Sequence, residues 1–369
     1  MNFIARRAAA VPPSGIRTYF DIARTMPDAI NLSLGQPDFE VPEPIKQAAI
    51  DAIRANRNGY SPSAGIDALR AAISERLARE FPGWNPTILI TCGVSGGLHL
   101  ALAASLDAGD EVIFGDPYFV SYPDVVRLMD GVPVPVELNQ RFTADTDRFA
   151  AAIAPRTKAI LLNSPSNPTG VVYDRACIRG IAELAVQRGL LVISDEIYNT
   201  LTYDGPAPSP VSFAPENTLL LRGFGKSYAV TGWRLAYAAG PKALIEQMVK
   251  VQQYTYVCAP HMAQVAGVTA LSTDMSAQVN AYRRKRDLVV EELGAAFELV
   301  RPSGGFYVFP RVPAKYADAN AFVEAAIQRK VIVIPGQVFS QRNDHFRLSY
   351  AVPDDRLRQG CQILAGLAH

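Results

Sequence analysis

Cysteine and histidine are scarce in this sequence, with four of each among 369 residues. Cys92, Cys177, Cys258 and Cys361 form no CxxC pair, which argues against both a zinc site and a disulfide framework. His99, His261, His345 and His369 are equally scattered, so no clustered metal site is expected. Charged residues reach only 19%, below the usual ~25%. That shortage points to extensive buried surface and to an oligomer. Neither sign of charge prevails: Lys+Arg 36 against Asp+Glu 35 leaves +1. Such a balance excludes the basic footprint of a nucleic-acid or anionic-membrane binder, so any anion site must be local. No apolar run approaches the ~18 residues of a membrane span. The arginine pair near the N-terminus is not followed by a long apolar segment, so no secretory signal is expected and a reduced, cytoplasmic setting is the default.

Hydrophobic residues make up 49% of the chain, enough for a substantial core and about two domains. Apolar, strand-like runs at 88–91, 111–115, 132–138, 158–163, 190–195, 219–223 and 235–239 alternate with helical patterns at 95–106, 120–129, 175–187 and 242–253. Nearly continuous apolar strands separated by helices predict an α/β fold, a mostly parallel sheet flanked by helices. After residue 253 the pattern changes. Helices dominate 260–293, followed by short strands near 298–301, 306–309, 331–334 and 345–349, a helix at 320–329 and a last one from Asp354. We read 32–253 as a large domain, and 1–31 with 254–369 as an N-terminal arm plus a second, smaller α+β domain.

In open α/β sheets ligands sit beyond the carboxyl ends of the strands. Two segments there suggest a nucleotide site and fail. Gly225-Lys226-Ser227 resembles the end of a phosphate loop, but the spacing GxxxxGK[ST] needs glycine at 220, which is Leu. Gly223 and Gly225 begin a GxGxxG that Tyr228 breaks.

Another chemistry uses these pieces better. Asp195 ends an apolar strand, where a carboxylate can keep a bound heteroaromatic nitrogen protonated. Tyr198, three residues on, can hydrogen-bond a phenolic oxygen. Alone, the Asp195-Glu196 pair would be an ordinary turn cap, and a lone lysine a solvated charge. Lys226, however, follows another apolar strand among small residues, and Arg234 lies eight residues later. A lysine so placed can form a Schiff base with an aldehyde cofactor. An arginine can hold a phosphate bidentately.

Three motifs then occur in order: Ser164-Pro-Ser-Asn167-Pro168-Thr169-Gly170, Ser194-Asp195-Glu196-Ile197-Tyr198, and Gly225-Lys226-Ser-Tyr-Ala-Val-Thr-Gly232-Trp233-Arg234. Together they resemble the class I/II aminotransferases, fold-type I enzymes that use pyridoxal 5′-phosphate. The resemblance runs from Asn31-Leu-Ser-Leu-Gly35 to Phe346-Arg347-Leu-Ser-Tyr-Ala351. It implies Lys226 as the Schiff-base lysine, Asp195 against the pyridine nitrogen, and Tyr198 and Asn167 on the ring oxygen. It implies Arg234 on the phosphate, with Val94 and Ser95 at a helix start beside it. Phe119 matches the aromatic that stacks on the ring, with Tyr118 as the alternative and core packing open for either. Tyr60 matches a tyrosine that reaches the neighbouring subunit's phosphate, which implies a homodimer with shared active sites. Arg347 matches the clamp for the substrate α-carboxylate, with the Gly35 backbone beside it.

The implied reaction moves an amino group from an L-amino acid to a 2-oxo acid such as 2-oxoglutarate. An aromatic or broad donor range is expected first and aspartate second: the stretch Val251-Gln252-Gln253-Tyr254-Thr-Tyr256 offers no arginine for a distal carboxylate, and Pro13-Ser-Gly-Ile16-Arg17 resembles a bacterial and archaeal branch that includes aromatic and acetylated-diaminopimelate aminotransferases. A C–S lyase on the same fold is the alternative. A PLP-sensing regulator ranks last, since only ~30 residues precede the first motif and leave no room for a helix-turn-helix. Two departures stand out. Gly225 occupies a place where many relatives carry serine, so cofactor retention should be weaker. Arg222 is unusual at its place, and the sequence assigns it no role.

Overall fold

The computed structural model describes residues 3–369. The strands are β1 (Ile30–Asn31), β2 (Thr87–Thr91), β3 (Glu111–Asp116), β4 (Val132–Glu137), β5 (Thr157–Asn163), β6 (Leu191–Asp195), β7 (Thr218–Gly223), β8 (Ala236–Gly240), β9 (Tyr307–Val308), β10 (Val331–Ile332), β11 (Ile334–Pro335) and β12 (Phe346–Ser349). Seven of them form one sheet in the order β2-β8-β7-β6-β5-β3-β4. Only β8 runs against its neighbours β2 and β7. Two reversals restore direction, so β2 ends on the same side as β5, β6 and β7. With β3 and β4 also parallel, six of the seven strands end at that edge.

The near-continuous apolar strands are explained by burial on both faces. Ile160, Leu162 and Val192 enter the cluster on one side, with Phe149 and Ile181. Leu161, Ile193, Leu219 and Leu221 enter the cluster on the other, with Leu98 and Leu102. Helix ends are set locally. Asp174 caps Arg175–Arg188 by accepting from the Cys177 N–H, and Gly189 closes it in the left-handed conformation at φ 64°.

A second layer contains the sheet β11-β12-β9 and the parallel pair β1-β10. Helices Ser276–Leu293 and Asp354–Gly366 pack together beside it. Phe297, Phe322, Phe346 and Tyr282 fill its core. Helix His261–Ser272 follows residue 253, yet it packs on Glu43–Arg54 and Asp67–Glu80 in the cluster under the large sheet. We therefore propose that the division between the layers falls after Ser272 rather than at 253.

Three differences from the sequence reading are informative. The stretch 298–301 forms no strand: Glu298 accepts one bond from the Arg311 N–H, and Pro302 ends the segment with no donor. Helices Glu43–Arg54 and Asp67–Glu80 were not anticipated. The arm carries helix Gly15–Thr25, whose residues Ile16 and Tyr19 pack against the cores of both layers.

Candidate active site

The strand ends converge on a cavity of about 350 Å³. Gly35, Val94, Ser95, Phe119, Asn167, Asp195, Tyr198, Lys226, Arg234 and Arg347 all line it. Tyr60 lies elsewhere: it is 86% exposed and outside this cavity. Tyr118 does not line it either; its ring meets Phe114 edge-on.

Asp195 closes β6 and is buried. Its Oδ2 accepts from the Tyr122 hydroxyl at 2.8 Å, and its Oδ1 from the Ile197 N–H at 3.2 Å. Burial pushes its carboxyl up to about 6, Glu196 pushes the same way, and Tyr122, Ile197 and Lys226 pull it back. One strand over, Asn163 donates to the Asp195 carbonyl at 3.0 Å and accepts from the Asn167 N–H at 2.8 Å. A single asparagine thus ties the Asn167 loop to the Asp195 strand. Tyr198 is buried and hydrogen-bonds the Tyr307 hydroxyl at 3.2 Å. Burial holds its phenol far above the usual range.

Lys226 sits on the short helix Phe224–Ser227 that follows β7. Its amine donates to the Gly35 carbonyl. Burial lowers its pKa to about 8, helped by the positive charges of Arg347 and Arg234 and opposed by Asp195. The result is a sequestered amine that is half neutral near pH 8.

The two arginines mark the cavity's ends. Arg347, on β12, is 1% exposed. It donates to the Ser33 carbonyl at 2.7 Å and to Asn167 Oδ1 at 3.1 Å. Tyr307 and Phe339 stack against the guanidinium at 4.5 and 4.6 Å. Its Nε is buried with no partner, a donor still to be satisfied. At the other end, Arg234 is exposed and donates to the Thr231 carbonyl at 3.0 Å. Beside it, helix Gly93–Ser105 begins without a side-chain cap. Gly93 has φ +80°, and a Cβ there would lie 2.5 Å from the Arg234 guanidinium. Glycine therefore keeps open a hollow bounded by free N–H groups, the Ser95 hydroxyl and a guanidinium, which is the donor set a phosphate needs. Phosphate hollow, buried carboxylate, depressed lysine and orphaned arginine donor all fit pyridoxal phosphate and an amino-acid carboxylate.

Sequence reading missed Tyr122, Asn163, Tyr307 and Phe339. Tyr122 lies in the run Asp116-Pro-Tyr-Phe-Val-Ser-Tyr that contains Phe119, and Asn163 sits at a recognised strand end, so both had a local signal. Tyr307 and Phe339 had none, because they reach Arg347 only through the packing of the second layer. Among the described residues no group of three or more His, Cys, Asp or Glu could hold a metal, and no helix is long and apolar enough to cross a membrane.

Known proteins agree with this geometry. The profile of the class I and II aminotransferases matches residues 27–364. The aspartate/prephenate aminotransferase of Thermus thermophilus is 39% identical over 381 residues, covering 99% of this chain and 98% of that protein. Aromatic-amino-acid aminotransferase 2 of Thermococcus litoralis is 34% identical over 372 residues, 96% of each. The structure of the aspartate aminotransferase from Thermus thermophilus with maleate superposes with a TM-score of 0.94, at 38% identity over the whole of both chains. With the fold, the cavity and these relatives in accord, the chain belongs to the class I and II aminotransferases and is a pyridoxal-phosphate-dependent transaminase.

Proposed function

We propose that the enzyme takes amino groups from aromatic amino acids within a broad donor range, with aspartate second, and passes them to 2-oxo acids such as 2-oxoglutarate. The observation that carries this reading is the cavity wall. Its cations are Lys226, Arg234 and Arg347, and each has a task. None is left on this chain for a distal carboxylate. Ile16, Phe20 and Leu34 supply an apolar wall instead.

When bound, pyridoxal phosphate supplies an aldehyde and an electron-withdrawing ring that stores the charge left by α-proton removal. The chain does the rest. Arg347 takes the α-carboxylate with its unpartnered Nε edge, and Asn167 with the Ser33 carbonyl fixes its guanidinium plane. That clamp orients the Cα–H bond, an entropic advantage. The Lys226 amine removes the α-proton and later returns it, as its pKa near 8 permits. Asp195, anchored by Tyr122, would face the ring nitrogen as an anion. Tyr198 and Asn167 would hold the ring oxygen, and Phe119 would cover one face. Gly93, Val94, Ser95 and Arg234 would hold the phosphate. Ile16 and Phe20 of the arm helix line the same cavity and would limit water there.

We place Tyr60 at the partner's phosphate in a homodimer, a reading supported by the exposure of its side chain, which leaves it free to reach another subunit. The four free cysteines support a cytoplasmic setting.

The test is the visible absorbance of purified protein, before and after amino acids are added without an acceptor. Bleaching by phenylalanine or tyrosine, with the matching oxo acid released, is expected. Bleaching by aspartate alone would overturn the aromatic preference. Pyruvate and sulfide from cystathionine would instead indicate lyase chemistry. Lys226→Ala should bind no cofactor covalently and should lose turnover by about 10⁴-fold or more.

A further inference from the structure

Arg222 is the centre of a buried charge network directly behind the site. It lies on β7, beside the residue that pairs with Asp195 on β6, and four residues before Lys226. Its guanidinium is 3% exposed. Nε and Nη2 donate to Glu196 Oε2 at 3.0 and 2.8 Å. Nη1 and Nη2 each donate to Glu80 at 2.6 Å. The other Glu196 oxygen accepts from Ser194 at 2.9 Å and Ser209 at 2.6 Å. Every oxygen of this carboxylate is therefore filled.

The two acids differ in their access to water. The Glu80 side chain is 38% exposed, that of Glu196 only 4%. Without Arg222, Glu80 could turn to solvent. Glu196 could not, and a buried carboxylate without its cation must take a proton or press its charge on its neighbours. Its chain neighbour is Asp195. Asp195 is faced by Tyr122, Tyr198 and Lys226; Arg222 is faced in addition by Tyr237 and the Phe81 ring, and Glu80 by Arg76.

We propose that Arg222 is a positioning residue for transamination. By clamping Glu196 it locks the ends of β6 and β7, which present Asp195 and Lys226, in one register. It also cancels the buried charge that would otherwise bear on Asp195. The proposal rests on Asp195 and Lys226 having the roles given above.

The visible band of the holoenzyme, followed through a pH titration, reads the electric field at the site without relying on turnover. Arg222→Met leaves Glu196 uncompensated, and the band's midpoint rises by about one pH unit. Glu196→Gln leaves an excess positive charge, and the midpoint falls by about as much. The double variant returns toward wild type. Glu80→Gln moves the midpoint far less, because Glu80 reaches water. For Arg222→Met, kcat falls about 10- to 100-fold, while the KM for the amino acid changes less than about threefold. If Arg222→Met does not fold, Glu196→Gln against Glu80→Gln carries the comparison. Midpoints that stay in place, or that move with the same sign in Arg222→Met and Glu196→Gln, overturn the proposal. Asp195→Ala separates the two levels. If it keeps cofactor and rate, the roles assigned to the site fail and this inference fails with them. If it loses both while the Arg222 and Glu196 variants keep the wild-type midpoint, this inference alone is overturned.

Discussion

The cavity's two ends handle anions by opposite means. Arg234 is exposed and held by one carbonyl, and it works beside free backbone N–H groups at a helix start. Arg347 is fully buried, sandwiched between two rings and held by two oxygens from distant parts of the chain. A resident phosphate needs many modest donors, and the strand-to-helix turn supplies them from local sequence. A transient carboxylate must be oriented to expose one bond, so its arginine is made rigid and dry. Burial makes that end costly: it depresses the pKa of Arg347 and leaves a donor unmet. In the proposed mechanism the substrate carboxylate would offset that deficit.

Asp195 and Lys226 carry the proposed chemistry, and breaking that pair should have the largest effect. Asp195→Ala is expected to lower kcat by about 10³-fold or more and to let cofactor escape during dialysis. Single-turnover absorbance with dialysed protein measures both. Arg347→Ala should lower kcat/KM by about 10²- to 10³-fold with the visible band intact, because it removes the substrate clamp and leaves the cofactor hollow untouched. Steady-state rates beside a spectrum of the same sample check this. In the cofactor-free protein, Lys226→Met should be more stable than wild type below about pH 8. The lysine's folded pKa is depressed, so the buried charge costs stability at low pH. That cost fades as pH rises from about 8 toward the unfolded value of 10.5, and the two melting curves should converge there. The smallest effect concerns the phosphate end. Gly225→Ser should improve cofactor retention about threefold by adding one hydroxyl. The gain is limited because a Cβ there meets the Thr231 Cα at 3.3 Å. Equal retention through exhaustive dialysis would show that Arg234 and the helix start already saturate the phosphate.

The same contrast governs what could be read in advance. The phosphate and ring end is built from short runs, each a strand, a turn and a functional residue. Asp195, Lys226 and Arg234 could be named because each follows a recognisable strand; Asn167 and Ser95 were recognisable through the motifs around them. Arg347 was recognisable only through the motif around it; nothing local announces Tyr307, Phe339 or the Ser33 carbonyl. Arg222 illustrates the limit most clearly. An arginine ending an apolar strand carries no local explanation, since its partners Glu80 and Glu196 lie 142 and 26 residues away.

By itself the sequence determined the strand and helix alternation of the large sheet, its mostly parallel character and most of the residues that line the cavity. Hydrophobic periodicity and turn chemistry act over a few residues, and those features need no more. Only the tertiary structure decided that 298–301 stays out of a ladder, that His261–Ser272 packs under the large sheet, and that the arm's Ile16 and Phe20 line the cavity. It also decided which buried charges find partners. Burial, pKa and ion pairing depend on everything packed around a group, and in this chain those surroundings come from segments hundreds of residues apart.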